Sequence, residues 1–153
     1  MNLNFLANEF RQAGWKNMQP GTFTDIEFDL IGYRPAGVTK MHVFIKYMDL
    51  LDGKVATKWQ ENFKTLFQKI KPGFFKSEGF ALCLLADEIE AVGIRIVSNN
   101  FGDATRKLVI VDTQNHNFFG DLDNSMKVPV FNGPKQSLKK LLLESLPKAV
   151  WSD

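Results

Sequence analysis

From Phe23 to Tyr33 the chain alternates apolar and acidic residues with period two. Ile26, Phe28 and Leu30 fall on one side, and Asp25, Glu27 and Asp29 on the other. That period predicts a half-buried strand. It returns at 41–47, with Met41, Val43, Ile45 and Tyr47 on one face and His42, Phe44 and Lys46 on the other. Joined by the loop Arg34–Lys40, the two segments predict a hairpin. Three carboxylates in a row repel one another and stay solvated unless a cation or a lysine sits among them.

Helical spacing takes over on either side of this hairpin. Leu3, Leu6, Phe10 and Ala13 predict a helix from Leu3 to Ala13, stopped by Gly14. Gly53 reads as closing a turn after the second strand. Val55, Trp59, Phe63, Leu66, Phe67 and Ile70 then mark one face of a longer helix; Lys58, Lys64, Gln68 and Lys71 cover the other. Thr57 and Gln60 fit a capping box, and Pro72-Gly73 ends the helix. Phe80 to Ala86 is apolar throughout, the pattern of a strand buried on both faces.

Residues 93–98 and 107–112 predict further strands, joined by the turn-rich Asn99–Asp103. Asn115 to Asn124 reads as irregular, interrupted by Phe118-Phe119. Pro134 opens a last helix with Leu138, Leu141, Leu142 and Leu146 inward. The order is αββαβββα, an α/β (α+β) fold in which one mixed sheet is flanked by helices. No linker or repeat divides the chain, so residues 1–153 are expected to form a single domain.

Composition narrows the function. A net charge of +2 excludes general attraction to nucleic acid or membranes, so any basic surface must be local. Fourteen phenylalanines against two tyrosines point to an aromatic core. The single cysteine, Cys83, lies inside the apolar run and allows no internal disulfide. No stretch resembles a signal peptide or reaches membrane-spanning length, which predicts a cytoplasmic protein with no membrane partner. Neither a glycine-rich phosphate loop nor a nucleophile elbow is present.

Chemistry concentrates at Asp25, Glu27, Asp29 and Lys46. If Asp29 lies opposite Lys46, carboxylate and ammonium meet across the strands. Carboxylate oxygens hold a hard cation such as Mg²⁺, which polarises a phosphate, while a lysine orients the attacking water. The plain alternative is a cross-strand ion pair worth about a few tenths of a kcal/mol. His42 shares the face of Lys46 and would border the same site. His116 sits in the polar loop Gln114–Asn117, too remote in sequence to make a zinc site with it. Asp87, Glu88 and Asp112 follow apolar strands, where open α/β sheets bind ligands and where chains simply leave the core. Two basic groups, Lys64, Lys69, Lys71 and Lys76 and then Lys135, Lys139 and Lys140, suit either phosphate contact or a solvated helix face.

An initial helix, a hairpin with Asp29 in Phe28-Asp-Leu-Ile31 and Lys46 in Val43-Phe-Ile-Lys46, an amphipathic helix and a buried strand follow one another over roughly residues 3–86. This succession resembles the PD-(D/E)XK nuclease superfamily, with its restriction-endonuclease-like fold. The resemblance implies that Asp29 binds a metal, Mg²⁺ or Mn²⁺, and that Lys46 assists the attacking water. Glu9 sits where some members place another acid, and dimers are common for the fold. The family also places an acid two residues before the lysine; here that residue is Phe44. Glu27 is the nearest substitute as a second metal ligand. Two readings follow. One is a nuclease-like protein acting on nucleic acid, either as a Mg²⁺-dependent enzyme or as a degenerate binding or accessory protein. The other is a non-enzymatic interaction module with a protein partner: a regulator, an immunity-type inhibitor or an accessory subunit. Phe44 favours the second over an active version of the first.

Overall fold

A computed structural model of the chain describes residues 1–36, 39–71, 77–98, 103, 105–120 and 138–151. The elements run α1 (Leu3–Gln12), β1 (Lys16–Phe23), β2 (Ile26–Ala36), β3 (Thr39–Leu51), α2 (Gly53–Lys69), β4 (Ser77–Ile89), α3 (Ala91–Ser98), β5 (Arg106–Asp112), β6 (Phe118–Phe119) and α4 (Leu138–Trp151). The strands form one six-stranded sheet in sequence order. β1, β2 and β3 are an antiparallel meander; β3, β4 and β5 run parallel; β6 returns antiparallel. The parallel step from β3 to β4 needs a crossover, and α2 provides it. The expected single mixed sheet flanked by helices is the architecture found.

Alternation along the central strands builds two cores. Ala81, Cys83 and Leu85 of β4 join Val109 and Val111 of β5 beneath α1 and α4. Phe80, Leu82 and Leu84 join Leu108 and Ile110 against α2 and α3. Both faces of β4 are therefore covered, and burial pushes the Cys83 thiol up to about 12.

Several local expectations change. β1 is a strand that the pattern of polar and apolar residues does not predict. It is the sheet edge, and of its eight residues Met18 alone is buried, so it has no alternation to read. Thr24 and Asp25 take φ of 50° and 62° in the two-residue turn between Phe23 and Ile26. Positive φ at both central residues is the geometry of a type I′ hairpin turn, so Asp25 belongs to the turn and not to the strand. Gly53 opens α2 instead of closing a turn. The cap is Asp52, whose side chain accepts from the Val55 amide at 2.9 Å, while the Thr57 hydroxyl donates to the Gly53 carbonyl. Residues 93–98 belong to helix α3 and not to a strand; Gly93 and Val97, one turn apart, are its buried positions. Glycine is required there, because a Cβ on Gly93 would stand 2.8 Å from the Leu51 carbonyl oxygen. Pro72-Gly73, the stretch 99–102 and Pro134 lie outside the described residues.

One reversal bears on the site. Phe28 packs into the core on the α2 side, whereas Leu30 packs into the core on the α1 side. The expectation that both share a face fails because the alternation slips at Asp29. Pairing of β2 with β3 begins only at Leu30↔Ile45, and β1 shifts register against β2 between Gln19 and Gly21.

Candidate functional site

The slip at Asp29 turns its carboxylate toward β3. One oxygen accepts the Tyr47 backbone N–H at 2.7 Å; the other lies 3.7 Å from the Lys46 ammonium. Each of the two side chains keeps a little over a quarter of its surface in solvent, at 27% and 29%. Lys46 shares its strand face with Phe44, which sets it on the α2 side of the sheet.

Two clefts meet at Lys46. One, of about 290 Å³, is bounded by Asp25, Glu27 and Lys46 from the hairpins and by Lys58, Trp59 and Asn62 from α2. The other, of about 370 Å³, lies over Pro20 and Thr22 of β1 and is closed by Glu27, Asp29 and Lys46. Trp59 fixes α2 against the sheet, its ring 5.9 Å from that of Phe28. The acidic residues of the hairpin and Lys46 thus border one concave region. Lys58 joins them, a residue whose place on the outer helix face had marked it only as solvated.

Phe44 stands apart from this region. It is 1% exposed, with its ring among those of Phe28 at 4.8 Å, Phe23 at 5.4 Å and Phe80 at 6.0 Å. The position where the resemblance would place an acid is here part of the core. Glu9 is separated from Lys46 by the sheet, since α1 covers the opposite face.

The expectation that His42 borders the Lys46 site also changes. It lines a third cleft, of about 340 Å³, with Tyr33, Lys40, Asn17 and Gln19. Its ring stacks on Phe44, and its buried Nε2 lies 3.7 Å from Glu78 without a hydrogen bond. Burial holds this imidazole below its ordinary pKa. His116 is exposed in the turn after β5.

The strand-end carboxylates are occupied by their own frame. Asp87 accepts from the hydroxyls of Tyr47 and Thr113 and from Gln114 at 3.4 Å. Burial pushes its carboxyl up, but these donors outweigh it and the net displacement is downward. The Tyr47 hydroxyl is pushed up, first by burial and then by Asp87. Asp112 closes a turn by accepting from the amides of Gln114 at 3.0 Å and Asn115 at 2.9 Å. Glu88 is exposed. Of the basic groups, Lys64 pairs with Glu61, Lys140 with Glu144, and Lys139 lies over the Phe118 ring; Lys76 and Lys135 lie outside the described residues.

Among the described residues no three Asp, Glu, His or Cys groups gather as a metal cage. Asp29 and Glu27 share a cleft, however, and Mg²⁺ is commonly held by one or two carboxylates together with substrate phosphate and water. The donor chemistry fits such an ion. No helix among the described residues is long and apolar enough to cross a membrane. Set against models of protein families, curated proteins and solved structures, the chain matches none of them.

Proposed function

We propose that the chain is a nuclease-like protein that engages the phosphates of nucleic acid at the Lys46 clefts, with Asp29 and Glu27 as the residues that would hold Mg²⁺. One observation carries the reading: Asp29 and Lys46, on neighbouring strands, stand 3.7 Å apart where two clefts meet. The succession helix, three-stranded meander, crossover helix and parallel strand around them supports the PD-(D/E)XK resemblance.

Each side chain has a task. Lys46 and Lys58 present ammonium groups to phosphate oxygens. Asp29 holds Lys46 in place through the ion pair while its other oxygen is tied to the backbone. Asp25 and Glu27 oppose a phosphate by like charge and use up the charge of Lys46 and Lys58, so a bound cation would tighten binding at this place. When bound, Mg²⁺ supplies Lewis-acid polarisation of the phosphate. Phe44 contributes no donor, which leaves the site able to hold its ligand and poorly equipped to cut it.

The test is fluorescence anisotropy of a labelled oligonucleotide in Mg²⁺ and in EDTA. Binding is expected to tighten with Mg²⁺ and to be lost in Lys46→Ala and Asp29→Ala. Affinity indifferent to Mg²⁺ and to both substitutions overturns the reading.

A second reading, the protein-interaction module, has one observation in its favour. The charge at the first cleft is balanced, Asp25 and Glu27 against Lys46 and Lys58, and balanced charge suits a protein surface. A stoichiometric protein complex recovered from cells, disrupted by Lys58→Glu, would favour it.

A further inference from the structure

We infer that the Lys46 groove continues past Gly21 into a second subsite, where Lys40, Tyr33 and His42 receive an unpaired stretch of the same nucleic-acid strand. The inference rests on the function proposed above and adds where the strand goes and in what form it is bound.

The clefts are contiguous. Pro20, Gly21 and Thr22 line both the cleft of Asp29 and Lys46 and the cleft of His42. His42 and Lys46 share one face of β3, four residues apart, a separation of roughly 13 Å at about 3.3 Å per residue. Gly21 forms the floor between them. A Cβ there would lie 3.2 Å from Cδ1 of Ile31, above the sheet on the groove side. The passage is therefore open because this residue has no side chain.

The two ends differ in charge. Carboxylates offset the lysines of the Lys46 clefts, whereas the lining of the third holds Lys40 as its charged group and no carboxylate. Glu78, 3.7 Å from His42, is the acid that faces this end from β4. A phosphate is accepted here without a metal. The Lys40 ammonium lies over the Tyr33 ring, 4.1 Å from its centre, so a base that stacks on that face takes the place of the ammonium and leaves it to the phosphate. Positive groups interleaved with rings are how single strands are held, because an unpaired base stacks where a paired one cannot. The volume, about 340 Å³, is at the scale of a small-ligand pocket and suits one nucleotide.

The experiment compares a labelled deoxythymidine trinucleotide with a dodecamer, both in Mg²⁺, by anisotropy. The dodecamer is expected to bind about tenfold tighter, the gain of one added stacking and phosphate contact. Gly21→Val and Lys40→Ala are expected to reduce the dodecamer to the affinity of the trinucleotide, and Lys40→Ala, which lies outside the Lys46 clefts, to leave the trinucleotide unchanged. Lys46→Ala weakens both. If Gly21→Val and Lys40→Ala leave the dodecamer untouched while Lys46→Ala weakens it, the second subsite is wrong and the proposed function stands. If neither probe binds, or Lys46→Ala changes nothing, both fall. A duplex dodecamer that binds equally and responds equally overturns the single-strand form. Melting curves accompany each variant, and Gly21→Ser, with its smaller side chain, decides the matter should Gly21→Val not fold.

Discussion

Lys46 and Tyr47 are consecutive on β3 and point to opposite faces of the sheet, and each meets a carboxylate. Tyr47 finds Asp87, which also takes hydrogen bonds from Thr113 and Gln114. Lys46 finds Asp29, which has one backbone amide and an ammonium beyond hydrogen-bond distance. The difference teaches how to read a carboxylate. Asp87 has donors on both oxygens and belongs to the frame. Asp29 keeps lone pairs toward a cleft, where a cation or a bridging water can use them.

The largest effect tests the seat on which Lys46 rests. Phe44 is two residues away on the same face and packed among three phenylalanine rings. Phe44→Ala is expected to cost about 3–5 kcal/mol of stability in urea unfolding, from lost burial and the cavity left behind. A loss under about 1 kcal/mol would mean that the ladder alone fixes β3, and that the aromatic cluster does not position the site.

Next comes the frame carboxylate. Asp87→Ala strands the part-buried hydroxyls of Tyr47 and Thr113 and is expected to cost about 1–3 kcal/mol. Oligonucleotide affinity should not change. If affinity falls while stability holds, the two carboxylates have been assigned the wrong way round.

How far the sequence led depends on what each residue buries. Phe80 to Ala86 was legible because both faces of β4 are covered and no polar residue interrupts it. A cross-strand pairing of Asp29 with Lys46 was legible only as a possibility, because regular alternation does not produce it. The slip at Asp29 that brings them together was not legible, because a bulge leaves no mark in the local pattern. β1 was hidden by its edge position, with Met18 alone buried. Residues 92–97 are apolar on every side but Arg95, and a short apolar run reads equally as strand or helix. Lys58 looked like any solvated helix lysine until α2 was set beside the hairpin by Trp59. His42 shares a face with Lys46, but alternation says nothing about distance along that face.

A smaller effect separates the faces by pH. Tyr47 in the fold holds its proton above its ordinary pKa of 10, so the unfolded chain loses the proton first. Its contribution is complete below pH 10 and declines as pH rises beyond it. Asp87 lies below 3.8, so its contribution is complete above that pH and is lost as acid protonates the folded carboxyl. His42 is held below 6.5, so the unfolded chain takes up a proton first and stability falls as pH drops under 6.5. Chemical denaturation from pH 5 to 11 should show the alkaline decline shrink in Tyr47→Phe to the part that the buried Cys83 thiol sets from about pH 9, and the decline below 6.5 vanish in His42→Gln. An alkaline decline of unchanged size in Tyr47→Phe, or an unchanged decline below 6.5 in His42→Gln, would assign it to other groups.

The smallest effect is the one on which the functional reading turns. Asp29 and Lys46 are each partly in water, and their charged atoms stand 3.7 Å apart. Exposed pairs of this kind contribute about 0.2–1 kcal/mol. A double-mutant cycle of Asp29→Ala and Lys46→Ala should return a coupling within that range for stability. The same cycle run on oligonucleotide affinity should return more, because phosphate and cation would then bind both members. Equal couplings in the two measurements would make the pair an ordinary cross-strand contact, like many on half-exposed sheets, and the cleft would be only a place where three strands and a helix fail to close.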